Sequence, residues 1–150
     1  MAISTMGDSN RAAFTCERVG ERLTVAVKGE IDHHTAVAIR NGIDAVLFDT
    51  RPTHLRLDLS GVGFMDSSGL GLIMGRFSVM RELGGTLTVW DPSPETAKIL
   101  ALAGMERIVG IEYPEGKAPA MKKSHTRTTR TGSAPPRKRG VGRNRKEKQA

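Results

Sequence analysis

What most constrains this chain is a repeated change of hydrophobic period. Between residues 12 and 112 the apolar spacing switches between two, as on a strand, and three to four, as on a helix. Ala12 to Arg18 and Arg22 to Lys28 alternate, and Val19-Gly20-Glu21 joins them as a hairpin. Gly29-Glu30-Ile31-Asp32 then turns the chain. Ala36, Val37, Ile39, Ile43, Val46 and Leu47 form the stripe of a helix that runs to about Asp49 and is closed by Pro52. His54 to Leu59 is a third strand, with Leu55, Leu57 and Leu59 alternating against Arg56 and Asp58, and Ser60 to Gly63 is a loop. A second helix carries Leu70, Ile73, Phe77 and Met80 and ends at Leu83-Gly84-Gly85. Thr86 to Trp90 is a fourth strand. Asp91-Pro92-Ser93-Pro94 opens a third helix, about Glu95 to Ala103, stopped by Gly104, and Arg107 to Glu112 is a short last strand. The order β-β-α-β-α-β-α-β requires parallel pairing with right-handed crossovers, and the opening hairpin makes the sheet mixed. The fold class is therefore α/β: a mixed, mainly parallel sheet of about five strands covered by helices.

Composition divides the chain into parts. Apolar residues are 38% of the 150, enough for one core, and aromatics only 4%, so Val, Ile, Leu, Met and Ala must build it. The formal charge of +7 hides an asymmetry. From Lys117 onward stand twelve Lys and Arg against one acid, Glu147, a charge of +11; the residues before it hold eleven basic and fifteen acidic side chains, a charge of −4. From Gly116 apolar periodicity vanishes. Such a segment buries too little surface to offset an ordering entropy of about 1–2 kcal/mol per residue. The expected organisation is a flexible N-terminus over 1–11, a globular domain over 12–115 and a basic disordered tail over 116–150. No run of about 18 apolar residues spans a membrane. Met1 to Ala13 lacks the basic start and apolar block of a signal peptide, and the lone Cys16 cannot form an internal disulfide, so the expected location is the cytoplasm. Cys16, in a strand, is expected to be a small buried hydrophobe.

The stretch Phe64 to Phe77, FMDSSGLGLIMGRF, carries the most chemistry. It reads as a buried strand exit, an acidic turn with two serines, and a helix that starts on them. Asp66, Ser67 and Ser68 all suit a helix start, where a short side-chain oxygen accepts from unpaired N–H groups. The hydroxyls then sit at the positive end of a helix dipole, a natural place for a phosphate, unless the serines merely cap. Nucleophilic catalysis would need a histidine base. His125 is in the tail and His54 is at the far end of its strand, which leaves His33 or His34; but DSSG lacks the glycine that precedes the serine in a nucleophile elbow. Adjacent His33 and His34 diverge by about 100° on a helix and make a poor metal pair. The glycines Gly61, Gly63, Gly69, Gly71 and Gly75 fit neither a Walker A nor a dinucleotide pattern. Gly71 and Gly75 lie four apart on one helical face, suited either to close packing or to a smooth surface for a partner. Asp32, Asp58 and Asp66 are candidates for an acidic rim at the strand ends. Nothing here implies a cofactor or a metal.

Two motifs together, Gly29-Glu30-Ile31-Asp32-His33-His34-Thr35-Ala36 and Phe64-Met65-Asp66-Ser67-Ser68-Gly69-Leu70-Gly71, closely resemble bacterial anti-sigma factor antagonists of the STAS family. The resemblance covers about Phe14 to Ile111. It implies a mixed sheet with helices mainly on one face, and a binding protein rather than an enzyme. It also implies that Ser68 is the phosphoacceptor and that the kinase is the cognate anti-sigma factor. The unphosphorylated protein would sequester that kinase and free a sigma factor, and a phosphatase would reset phospho-Ser68. Glu30, Asp32 and His33, with Asp66, Ser67, Ser68, Gly69 and Gly71, are the partner-binding positions implied. The tail has no counterpart in this pattern and leaves room for weak nucleic-acid contact, without aromatics for stacking. The alternatives are a scaffold-type member never phosphorylated, an enzyme using Ser68 as nucleophile, and a nucleic-acid-associated protein led by its tail.

Overall fold

The structure is a computed structural model that describes residues 2–5 and 12–117. Among the described residues six strands form one sheet: β1 (Ala2–Thr5), β2 (Ala12–Val19), β3 (Arg22–Ile31), β4 (His54–Met65), β5 (Thr86–Trp90) and β6 (Gly110–Glu112). Three helices connect them: α1 (His33–Thr50), α2 (Ser67–Glu82) and α3 (Pro94–Leu102). The strands lie side by side in sequence order, β1 to β3 antiparallel and β3 to β6 parallel. Each parallel crossover steps one strand further in the same direction. Right-handed crossovers that all step one way put their helices on one face of the sheet.

The core lies between that face and the helices. Leu23, Val25 and Val27 of β3, Leu55, Leu57 and Leu59 of β4, and Leu87 and Val89 of β5 bury against Ile39, Ile43 and Leu47 of α1, Leu72, Ile73 and Met80 of α2, and Leu100 of α3. Each such side chain contributes about 1.5–3 kcal/mol when fully buried. The alternate strand positions form a polar face. There Arg56 stacks 4.0 Å from the Trp90 ring centre and reaches Glu112 at 3.6 Å, and the ring nitrogens of His54 pair with the hydroxyls of Thr86 (2.7 Å) and Thr88 (3.0 Å).

All five expected strands and the three helices are present, and the class is α/β. Several boundaries differ for physical reasons. Ala2–Thr5, inside the segment expected to be loose, pairs antiparallel with β2 as an added edge strand. Gly29-Glu30 does not turn the chain: β3 continues to Ile31, with Gly29 at φ 102°, a conformation glycine adopts without strain. Ser60 to Gly63 is likewise strand rather than loop. β4 runs on through two register shifts against β3, where its partners skip from Asp58 to Gly61 and from Val62 to Phe64. Such bulges re-aim side chains, and Phe64, expected inside, is 51% exposed. The last strand is shorter than expected because Met105–Arg107 forms a 3₁₀ turn that buries Met105 and precedes buried Val109. The expected disordered tail and residues 6–11 lie outside the described residues.

Candidate functional site

Parallel pairing of β3 with β4 brings two strand ends to one edge in register. Glu30 stands opposite Phe64 and Ile31 opposite Met65, and the Asp66 N–H donates to the Ile31 carbonyl at 3.1 Å. The next residue of each chain segment opens a helix, so the starts of α1 and α2 are neighbours. Asp32 caps α1: its Oδ1 accepts from the His34 N–H (2.9 Å) and the Thr35 N–H (3.0 Å). Thr35 Oγ1 accepts in return from the Asp32 N–H (2.9 Å) and donates to the Glu30 carbonyl (2.8 Å). This reciprocal box fixes the turn that carries Glu30, Asp32 and His33. Asp66 caps α2, its Oδ1 accepting from the Ser68 N–H at 2.7 Å.

That cap decides between two readings of the serines. Because the Asp66 carboxylate serves the helix start, neither hydroxyl is needed for it. Among the described residues the hydroxyls of Ser67 and Ser68 make no hydrogen bond. Ser67 is exposed, and Ser68 is half-buried in the side of a groove of about 280 Å³ between α1 and α2. His33, Val37 and Arg40 of α1 and Gly71 and Leu72 of α2 line this groove with Ser68.

The groove is the open end of a helix–helix seam. His33, Val37, Arg40 and Asp44 recur at i, i+4, i+7 and i+11 on α1, and Ser68, Leu72 and Arg76 at i, i+4 and i+8 on α2, spacings that align side chains on one face. At the far end Arg76 Nε approaches Asp44 Oδ1 to 2.7 Å. The two atoms are close but misaligned for a hydrogen bond, so the attraction is Coulombic. Arg76 is only 4% exposed, and burial pushes its guanidinium below its ordinary pKa; Asp44 opposes the shift and Arg40 adds to it.

Of the expected site residues, the structure gathers Glu30, Asp32, His33, Asp66, Ser67, Ser68 and Gly71 at this edge. Gly69 is different. It is buried, and an added Cβ would collide with the Met65 side chain, so it supports the turn from within rather than offering surface. Gly71 and Gly75 face open space, which excludes close packing as their reason. Asp58 is not part of the rim; it sits before the first bulge and accepts from the Ser60 N–H (2.9 Å) and hydroxyl (2.7 Å). His33 shares the groove with Ser68, but no hydrogen bond joins them, and the His33 and His34 rings meet edge to face at 5.6 Å. Among the described residues no cluster of His, Cys, Asp or Glu suits a metal, and no helix is long and apolar enough to cross a membrane. Cys16 is buried, and burial pushes its thiol up to about 11, well away from the reactive thiolate range. The sequence reading missed Val37, Arg40 and Leu72 as groove residues. Val37, assigned there to the core stripe, is 42% exposed.

Comparison with known proteins bears on this arrangement. A model of the STAS domain matches residues 13–118. An anti-sigma F factor antagonist of Paenibacillus polymyxa is 37% identical over 89 residues, 59% of this chain and 76% of that protein. Among solved structures, an anti-sigma factor antagonist from Mycobacterium paratuberculosis superposes with a TM-score of 0.63 at 29% identity, over 73% of this chain and 92% of that one. The Bacillus cell fate determinant SpoIIAA in its phosphorylated form superposes with a TM-score of 0.54 at 31% identity, over 66% and 90%. The sheet order, the two capped helix starts and the match across the whole globular part lead to one conclusion: this chain belongs to the STAS domain family.

Proposed function

We propose that this protein is an anti-sigma factor antagonist that works as a phosphorylation-controlled binding switch, with Ser68 as the phosphoacceptor. The observation that carries the reading is the Ser68 hydroxyl, half-exposed at the mouth of the groove and released from capping by Asp66. Unphosphorylated, the edge formed by Glu30, Asp32, His33, Asp66, Ser67 and Gly71 binds an anti-sigma factor, which then lets go of its sigma factor. That anti-sigma factor is also the kinase. The Ser68 oxygen takes the γ-phosphoryl group of ATP, its proton is lost, and ADP leaves. The product carries about −1.5 to −2 charges at pH 7. At a helix start the dipole favours that charge, so the fold survives while the binding edge becomes bulkier and more negative. A phosphatase hydrolyses the ester and restores the hydroxyl. The relatives named above as antagonists, and the phosphorylated form of SpoIIAA, favour this reading over catalysis by Ser68.

The test is mass spectrometry after incubation with the cognate anti-sigma factor and ATP. The expected result is one phosphate on Ser68 and none on a Ser68→Ala variant. Phosphate on Ser67, or on neither serine, would overturn the assignment.

A further inference from the structure

The α1 wall of the groove carries a charge that its surroundings leave uncompensated. Arg40 is exposed there, its Nε only 3.5 Å from the Asn41 amide oxygen, at the limit of a hydrogen bond. Among the described residues it stands in no ion pair. Buried Arg76 lies close enough to feel its charge, and Asp44, one turn along α1 from Arg40, is taken up by Arg76 at 2.7 Å. Arg76 thus occupies the Asp44 carboxylate, and Arg40 keeps its charge on the groove wall that it shares with Ser68. The acids nearest the mouth serve the helix starts: Asp66 Oδ1 accepts from the Ser68 N–H, and Asp32 Oδ1 from the His34 and Thr35 N–H groups. Glu30 stands outside the groove lining.

We propose that Arg40, with His33 on the same groove wall, is the internal receptor for the phosphoryl group on Ser68, so that phosphorylation ties the first turn of α2 to α1 across the groove. The inference rests on Ser68 being the phosphoacceptor, as above. The guanidinium fork matches a phosphate's oxygens two at a time, and a charge-assisted pair of this kind is about twice as strong as a neutral one. The bound phosphate fills the groove and cancels the positive wall in one step. A partner whose side chains enter the open groove then meets a filled surface of reversed charge. No refolding is required, because both ends of the tie are already in place on capped, packed helices.

The experiment needs no kinase and no partner, so its failure is separable from failure of the antagonist reading. The full chain is made with phosphoserine installed at position 68 by genetic code expansion, and its second ionisation, near pH 6 when unperturbed, is followed by phosphorus NMR. The helix dipole acts alike on wild type and variant, so their difference isolates Arg40. Arg40→Gln is expected to raise the midpoint by about half a pH unit, the size of an exposed ion pair, and Arg40→Lys by less. A second reading uses the wild type alone: the Arg40 Nε resonance should move when phosphoserine replaces serine. Coincident titrations of wild type and Arg40→Gln, or an Arg40 Nε signal unmoved by the phosphate, would overturn the proposal.

Discussion

Replacing helical glycines by alanine separates what α2 needs in order to fold from what it presents outward. A glycine inside a helix costs about 0.5–1 kcal/mol relative to alanine. At Gly71 and Gly75 an added Cβ would meet no atom within 4 Å, so the whole of that difference should be recovered. Gly71→Ala and Gly75→Ala are each expected to stabilise the protein by about 0.5–1 kcal/mol, or about 2–5 °C in Tm for a domain of this size. Gly69→Ala is the internal control. Its Cβ would collide with Met65 and stand 3.4 Å from Ile31 Cγ2. Both neighbours are only 1% exposed and have nowhere to move. Overpacking of this kind costs about 1–3 kcal/mol, more than the helix gains. Urea unfolding of the three variants measures these terms directly. The functional half follows from the same geometry. Alanine would be the better residue at Gly71 if stability were all that mattered, and under the proposed function the bare backbone there lets the partner approach closely. Gly71→Ala should therefore bind the anti-sigma factor about tenfold more weakly while being more stable. A Gly71→Ala protein no more stable than wild type would refute the local reasoning. One that is stabilised yet binds with unchanged affinity would refute the partner surface.

Three further outcomes follow from the same contacts. Asp66→Ala should lower stability by about 1 kcal/mol through loss of the α2 cap, whereas Ser67→Ala should leave it within about 0.5 kcal/mol; equal losses in chemical denaturation would return capping to the serines. Asp44→Ala strands the Arg76 guanidinium, and because Asp44 is 27% exposed the cost should fall below the roughly 3–5 kcal/mol of a fully buried pair, at about 2 kcal/mol; Asp44→Ala/Arg76→Met should be more stable than Asp44→Ala, and a double mutant that merely adds two losses would show the pair is uncoupled. Burial holds the His54 imidazole below its ordinary value of 6.5, with Arg22 and Arg56 adding to the shift and Glu112 opposing it. The unfolded chain therefore takes up that proton first as pH falls, so this contribution is complete above about pH 6.5 and is lost as pH drops through the folded value; His54→Gln should flatten the dependence of stability on pH in that range, and an unchanged slope would exclude it.

The sequence made the sheet legible because strand and helix periods differ sharply here. Leu55, Leu57 and Leu59 point the same way whatever surrounds them, and the stripe Ala36, Ile39, Ile43, Leu47 has one helical solution. The strand ends were harder. Gly29, Gly61 and Gly63 carry turn signals, yet parallel pairing continues past them by bulging, and the sequence alone does not tell a bulge from a loop. That extension moves Phe64 outward and sets Asp66 beside Ile31. The edge that joins Glu30, Asp32 and His33 to Ser68 was visible as two separate motifs; their adjacency comes from β3–β4 register. The groove was hidden for another reason. Val37 is apolar and one position off the core stripe, so hydrophobicity placed it inside, while the spacing His33, Val37, Arg40, Asp44 was the signal for a second face. Arg76 shows the converse, a charged residue that only the tertiary partner Asp44 explains.

Ser68 as the switch is tested most directly by binding measured on one chain in two covalent states. The anti-sigma factor captured by the unphosphorylated protein is titrated with wild type, Ser68→Ala and the chain carrying phosphoserine at 68. The account predicts tight binding by the first two, at least a hundredfold loss (about 2.7 kcal/mol) for the third, and the same circular dichroism spectrum for all. Equal affinities across the three, or a loss accompanied by unfolding, would contradict it.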